Sequence, residues 1–306
     1  GRTILARINR WDQKLDCNGS RVWNCNFVTA QGPCQGKVWP DDPSTKVPNE
    51  LRTDTWYVVV SAPGKWRKES DGRLTMILSL PEALSSFDMP ALADGGRYED
   101  WLNFRAWFEE IADPALQSFV LQVFFDEKMR DSFFSLPASR RHHHSWPGGL
   151  VEHSLEVAQL VSSHRLINGS FERWVCSVAG LFHDLGKVRT LNANASQRRY
   201  SEILHHEDLT LEMLARPLAW LDRVDPDAAH LFRYALMWDP ARAPRPLEPD
   251  VMAIREADRM SAAMSAKAIA FASVSDDRRF AMLDGPGPKN RFWRRSSDGH
   301  ALPGPS

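Results

Sequence analysis

What this 306-residue sequence lacks narrows it first. No stretch comes near the about 18 consecutive apolar residues that a membrane-spanning helix requires, so no membrane association is expected. The four cysteines, Cys17, Cys25, Cys34 and Cys176, form no CxxC pair, and the first three are spaced too widely for a usual zinc knuckle. They read as reduced cytosolic thiols. Neither charge is in excess: 38 Lys and Arg stand against 39 Asp and Glu, a formal net charge of −1. That excludes a uniformly basic nucleic-acid coat and leaves the question to local patches. No internal repeat is visible. The opening residues, Gly1-Arg2-Thr3-Ile4-Leu5, carry neither a signal-peptide apolar stretch nor an initiating Met. The chain therefore reads as trimmed, with the cytoplasm as its expected compartment.

What is present fits two globular domains, the usual outcome when a chain exceeds about 100 to 200 residues. From Ile4 to about Leu80 the pattern is strand-like. Val22, Asn24 and Asn26 alternate with Trp23, Cys25 and Phe27, and Val58-Val59-Val60 and Leu74-Thr75-Met76-Ile77 follow as β-rich runs. Turn formers separate them at Asn18-Gly19-Ser20, Gln31-Gly32-Pro33, Asp41-Asp42-Pro43-Ser44 and Ser70-Asp71-Gly72, the spacing of a small barrel or sandwich. After Pro81 the period becomes helical, as in Trp101, Phe104, Phe108 and Ile111, then Leu116, Val120, Val123 and Phe124. Asp113-Pro114 is a helix start, Asp as N-cap with Pro at the first position. The expected division is a β domain over 1–85, an all-α domain over 86–280 and a mobile Gly-, Pro-, Ser- and Arg-rich tail over 281–306.

Three segments carry the chemistry: His142-His143-His144-Ser145-Trp146-Pro147-Gly148-Gly149-Leu150-Val151-Glu152-His153, then Ala179-Gly180-Leu181-Phe182-His183-Asp184-Leu185-Gly186-Lys187, then Glu256-Ala257-Asp258-Arg259. A divalent metal that activates water needs imidazole and carboxylate ligands from several elements, with one position left open. Consecutive helical residues point about 100° apart, so His183 and Asp184 share an ion only if it sits over the gap between them. His153 and Asp258 must then arrive from other helices. A lone helical histidine is more often a satisfied core or surface residue than a ligand. Here the His-Asp pair is expected to lie in an apolar helix, Val178-Ala179-Gly180-Leu181-Phe182, where burying two polar side chains without partners costs several kcal/mol. Ligation supplies the partners. Lys187, about one turn further on, can hold a phosphate oxygen as a point charge, or it is a surface helix-end lysine.

These positions resemble the H…HD…D signature of HD-domain metal-dependent phosphohydrolases, and the longer match is to YhaM-type 3′-to-5′ exoribonucleases. Asp113-Pro114-Ala115-Leu116, Phe134-x-x-Pro137-Ala138, His143-His144-Ser145-Trp146-x-Gly148-Gly149-Leu150-x-Glu152-His153 and Leu181-x-His183-Asp184-x-Gly186-Lys187 fall in that family's order. The family also has an N-terminal OB fold, and Val22 to Trp39 resembles its opening strands, most closely at Gly36-Lys37-Val38-Trp39. The resemblance implies that His153, His183, Asp184 and Asp258 are the primary ligands of a divalent ion and that His206 helps to hold a second. It also implies that one of His143 and His144 contacts substrate phosphate or locks its loop. The ion is left open among Mn, Mg, Fe, Ni, Co and Zn, because His and Asp mixtures suit several of them. One departure matters. The family's later His-His pair is replaced by Leu236-Met237-Trp238-Asp239-Pro240, so a second ion depends on Asp239 as a substitute oxygen ligand, against its reading as a helix-terminal residue. His205 reads as a neighbour of His206 and not as a ligand.

The expected architecture is therefore an OB-like all-β barrel followed by an all-α HD domain. In the barrel, Trp11, Trp23, Phe27, Trp39, Trp56, Tyr57 and Trp66 are interleaved with basic residues such as Lys37 and Arg67. Aromatic platforms beside a cationic groove hold single strands, although a small barrel also needs large apolar fillers. Trp39 and Trp66, with Lys37 and Arg67, are the expected nucleic-acid contacts. Lys289-Asn290-Arg291-Phe292-Trp293-Arg294-Arg295 combines the same residue types, and reads equally as a solvated basic tail. The expected activity is a metal-dependent phosphodiesterase acting on single-stranded RNA or DNA, most simply a 3′-to-5′ exonuclease; an oligomer is compatible with it. Two alternatives stay open: a relaxase of the HD-type, TraI-like group, whose His-rich Gly-Gly-Leu segments are similar, and a non-catalytic single-strand-binding protein with a degenerate site.

Overall fold

Period-two alternation builds the first strands. In β2 (Arg21–Thr29), Trp23, Cys25 and Phe27 are buried, while Asn24 and Asn26 are half-buried on the other face. β2 pairs antiparallel with β1 (Thr3–Leu15) and β3 (Gly32–Val38). β4 (Trp56–Ser61) pairs antiparallel with β1 and with β5 (Gly72–Ser79). A short parallel contact of β3 with β5 closes a barrel in the order β1-β2-β3-β5-β4. Five strands closed in this way form an OB-like barrel, filled by Ile8, Trp23, Phe27, Val38, Tyr57, Val59, Leu74 and Ile77. The computed structural model describes residues 3–29, 32–53, 55–62, 72–85, 98–140, 143–164, 169–192, 199–283 and 290–295. Trp66, Arg67 and His142 lie outside them.

The helical part opens at α1 (Leu80–Ser85) and continues with α2 (Tyr98–Glu110), α3 (Pro114–Phe124) and α4 (Glu127–Ser135). Then follow α5 (Gly149–Ser162), α6 (Ser170–Phe182), the short α7 (Lys187–Thr190), α8 (His206–Val224), α9 (Pro226–Met237) and α10 (Met252–Phe271). Caps set several starts. The Asp113 carboxylate accepts from the Ala115 and Leu116 amides with Pro114 at the first position, and Asp225-Pro226 repeats the device on α9. Phe104, fully buried, touches Trp101, Trp107, Phe108, Phe124 and Phe134, and Phe119 joins Phe182 to Phe232. This aromatic core packs α2, α3 and α4 behind α5 and α6, the helices that lead to the site. Among the described residues no helix is long and apolar enough to cross a membrane.

Barrel and helices share one core, because Leu5, Val58 and Leu78 on the barrel's outer side pack into the helical cluster. Trp56 meets Trp220 of α8 edge-on at 5.4 Å between ring centroids. Trp56 and Trp23 are thus structural fillers and not strand-binding platforms. At the other end, part of the stretch expected to be a mobile tail is ordered. β6 (Phe280–Leu283) and β7 (Asn290–Trp293) pair as an antiparallel hairpin whose Ala281 and Phe292 pack on Ala270 and Phe271 at the end of α10. Only alternate residues of these four-residue strands turn inward, too short a pattern to stand out among the surrounding Gly, Pro and Arg.

Trp220→Ala should destabilise the protein by about 3 to 5 kcal/mol, seen as a lower urea midpoint in far-UV circular dichroism. An unchanged midpoint would mean that the Trp56–Trp220 contact does not hold the barrel to the helices.

Candidate metal centre

Three places in the chain converge. His153 projects from the first turns of α5, His183 and Asp184 follow directly on the C-terminus of α6, and Asp258 lies in the second turn of α10. The His-Asp pair is not within the apolar helix but in the turn that ends it, which allows both side chains to face one point. His153 is wholly buried and Asp184 is 3% exposed.

Backbone contacts hold the turn. The Gly186 amide donates to Thr210 Oγ1 at 2.9 Å, and that hydroxyl lies 2.9 Å from the His206 carbonyl and 3.3 Å from that of His183. A Cβ at Gly186 would stand 1.9 Å from the His206 carbonyl oxygen, so only glycine lets the turn reach the start of α8. The Gly148-Gly149 turn plays the same part on the other side. Gly148 has φ +80°, and a Cβ at Gly149 would stand 2.0 Å from the His144 carbonyl oxygen.

The donor atoms are arranged as ligands of a common ion would be. His153 Nε2 lies 3.5 Å from Asp184 Oδ2 and 3.2 Å from Asp258 Oδ1. His183 Nε2 lies 3.3 and 3.8 Å from the same two oxygens. Donors about 2.1 Å from one cation stand roughly 3.0 to 3.4 Å apart, so these spacings approximate the edges of a coordination polyhedron. The tautomers agree. His183 Nδ1 donates to the Gly180 carbonyl at 2.7 Å. His153 Nδ1 meets Ser261 Oγ at 2.8 Å, and Ser261 donates its hydroxyl hydrogen to Glu156 at 2.6 Å, so Nδ1 must supply the hydrogen to Ser261. Both Nε2 lone pairs are thereby turned to the centre, where each is buried without a hydrogen bond. Two orphaned imidazole nitrogens beside two carboxylates fit a divalent cation.

The electrostatics agree with the geometry. Burial opposes charge on His183, but the carboxylates of Asp184 and Asp258 outweigh it and raise its pKa to about 10, so a proton and a cation compete for the same Nε2 lone pair. Burial likewise opposes charge on Asp184, yet the surrounding His183 and Lys187 hold its carboxyl well below the usual range. Such a centre favours positive charge. Lys187 Nζ donates to Asp184 Oδ2, and His206 Nε2 stands 3.0 Å from Asp184 Oδ1. Lys187 and His206 also line, with Ser139, Arg140 and His205, a pocket beside the centre.

Other sequence candidates are placed differently. His144 is set behind His153: it is 2% exposed, its amide donates to Ser265 Oγ, and its Nε2 lies 3.3 Å from Glu156. The backbone at His144 is left-handed (φ +44°), and its ring lies against that of Trp146. His143, half-buried with its ring 5.5 Å from that of His153, is the one nearer solvent. Burial, with the charge of Lys187, lowers its pKa to about 4. Asp239 makes its contacts within its own turn, accepting from the Ala241 amide at 2.9 Å and facing Arg242 at 3.7 Å. Its segment instead offers Leu236 to the pocket over the site, and Arg255, held by the Trp238 carbonyl, lines that pocket with Asp258. In the barrel, Trp39 is half-buried, donates to Asp16 at 2.9 Å and has the Arg73 guanidinium 5.2 Å from its ring centre; Lys37 lies two residues before it on β3.

Sequence reasoning missed Glu156, Ser261, Thr210 and Arg255. The signal was available for three of them: Glu156 and Ser261 follow His153 and Asp258 by three residues, and Arg255 precedes Asp258 by three, one helical turn on the same face.

Over residues 150–263 the chain matches the HD domain family. It is similar to the 3′-5′ exoribonuclease YhaM of Listeria monocytogenes serotype 4b, 29% identical over 92 residues that make up 29% of each chain. It is also similar to the protein of that name from Listeria innocua serovar 6a, 24% identical over 148 residues, 45% of this chain and 46% of the relative. The matched region thus spans less than half the length of these curated relatives. No solved structure matches the chain.

Two outcomes follow from the geometry. Ser261→Ala should weaken Mn²⁺ or Zn²⁺ binding about 10- to 100-fold by releasing His153 from its orienting partner; calorimetric titration showing wild-type affinity would remove Ser261 from the site. Asp239→Ala should leave the metal content measured by native mass spectrometry at the wild-type value, and loss of an equivalent would make Asp239 a ligand.

Proposed function

We propose, for a chain that matches the HD domain family and carries an OB-like barrel ahead of it, a metal-dependent phosphodiesterase activity on single-stranded nucleic acid, most simply 3′-to-5′ exonucleolytic. The observation that carries this reading is the convergence of His153 Nε2, His183 Nε2, Asp184 and Asp258 at ligand-like spacing beside a pocket edged by Lys187 and His206. The names of the curated relatives support an RNA substrate, and the barrel supports a single strand.

His153, His183, Asp184 and Asp258 would hold the ion, with His206 beside Asp184. When bound, a divalent ion polarises a phosphoryl oxygen and acidifies a coordinated water. The protein's part is positioning and charge. Glu156 and Ser261 fix the ring of His153, and the Gly180 carbonyl fixes that of His183, so neither imidazole must reorganise during the reaction. Lys187 and His205 border the space where a phosphate would sit, and the ammonium can hold a non-bridging oxygen as a compact point charge. Arg255, anchored by Trp238 across the site, offers a second cationic group from the opposite pocket. Ile254 and Leu236 line that pocket with it and limit water there.

End-labelled single-stranded RNA and DNA incubated with Mn²⁺ should shorten progressively from the 3′ end. Lys187→Ala should lower kcat/KM about 10- to 100-fold, the worth of one charged hydrogen bond to phosphate, while Asp184→Ala should abolish cleavage. Full cleavage by Asp184→Ala, or no shortening of either polymer with any of the six candidate ions, would refute the assignment.

A further inference from the structure

We propose that the outward face of the β6–β7 hairpin is a second contact surface for single-stranded nucleic acid, remote from the metal centre. The inference rests on the single-strand reading above and extends it to a part of the chain that the site does not use.

Strand register puts the relevant groups together. Phe280 pairs with Trp293 and Met282 with Arg291, so these four side chains share one face, while Ala281 and Phe292 share the other and pack on α10. The outer face is open: Phe280 is 49%, Met282 47% and Trp293 57% exposed. Arg291 lies over the Phe280 ring at 4.1 Å from its centre. Two adjacent aromatic rings with a guanidinium laid on one of them form a surface on which bases stack regardless of sequence.

The charge fits the same partner. Residues 276–283 and 290–295 contain five arginines against two acidic residues, Asp276 and Asp277, and so remain basic in a chain whose net charge is −1. One of the five, Arg294, is structural: it donates to the Val274 and Ser275 carbonyls and covers the Phe271 ring, fastening β7 to the end of α10. Arg278, Arg279, Arg291 and Arg295 are exposed on or beside the hairpin. A second copy of this chain is the poorer occupant, because a two-fold contact would set one arginine cluster against its duplicate. A polyanion meets both the charge and the rings.

The hairpin also lies at a useful distance. Asp258 and Phe271 both belong to α10, 13 residues apart in sequence, or about 20 Å at 1.5 Å per residue. A strand of several nucleotides can reach both ends, and a single nucleotide cannot. The hairpin would thus favour polymers over short substrates without touching the chemistry.

The test uses the full chain, a fluorescein-labelled oligouridylate of about 20 nucleotides followed by anisotropy, and Mn²⁺-dependent hydrolysis of bis(p-nitrophenyl) phosphate, which is too short to reach the hairpin. Trp293→Ala should weaken oligonucleotide binding roughly 5- to 100-fold. The double variant Arg291→Ala with Arg295→Ala should weaken it and reduce the log–log salt slope by about 1.4, two charges at about 0.7 each. Both should hydrolyse the small substrate at the wild-type rate, and neither removes a buried side chain. Unchanged affinity and salt slope in both variants would overturn the proposal. So would a wild-type dimer, seen by sedimentation, that Trp293→Ala dissociates with no effect on oligonucleotide affinity, since the face would then be a protein interface. A wild type that binds the oligonucleotide through the hairpin but hydrolyses neither substrate would sustain this inference and sink the phosphodiesterase reading. A wild type that binds no single strand would sink both.

Discussion

The structure turns on one buried anion. Asp184 is almost entirely shielded from water, and an isolated carboxylate there would carry a desolvation cost of several kcal/mol. It is acceptable only because His153, His183, Lys187 and His206 surround it from three helices and a turn. Each of those side chains must therefore be delivered to within a few ångströms, and the packing of α5, α6, α7 and α8 is the scaffold that delivers them. The aromatic cluster around Phe104 and Phe119 gives these helices a rigid backing, which matters because a metal site loses affinity when its ligands must be gathered from a loose ensemble.

The same requirement explains the two points of closest backbone approach. Gly186 lets the His-Asp turn press on the carbonyl that opens α8, and Gly149 lets α5 begin against the loop that carries His144. Ser261 and Glu156 add the next layer, converting the position of His153 into an orientation. The converging side chains, their orienting partners and the backbone contacts are thus one connected set, and the pocket beside Lys187 opens from its edge.

Barrel and hairpin are attached to this helical body through separate contacts, the barrel through Trp56 and Trp220 and the hairpin through Phe271, Phe292 and Arg294. Both bring aromatic and basic side chains to the surface, Trp39 with Arg73 on one and Phe280 with Arg291 on the other.

Much of this was legible in the residues alone. Alternation around Trp23, Cys25 and Phe27 announced the barrel strands, Asp113-Pro114 announced α3, and a His-Asp pair beside apolar neighbours announced a buried polar centre, because each signal is local and has one common physical cause. The convergence of His153, His183, Asp184 and Asp258 is tertiary. Periodicity shows which face of a helix is polar, and never which other helix that face will meet. The tertiary structure likewise decided that Trp23 and Trp56 are fillers, that His144 lies behind His153, that Asp239 caps its own turn, and that an Arg-rich stretch pairs into a hairpin. Each of these depends on what stands across the gap, and residues distant in the chain acquire neighbours only when the core closes.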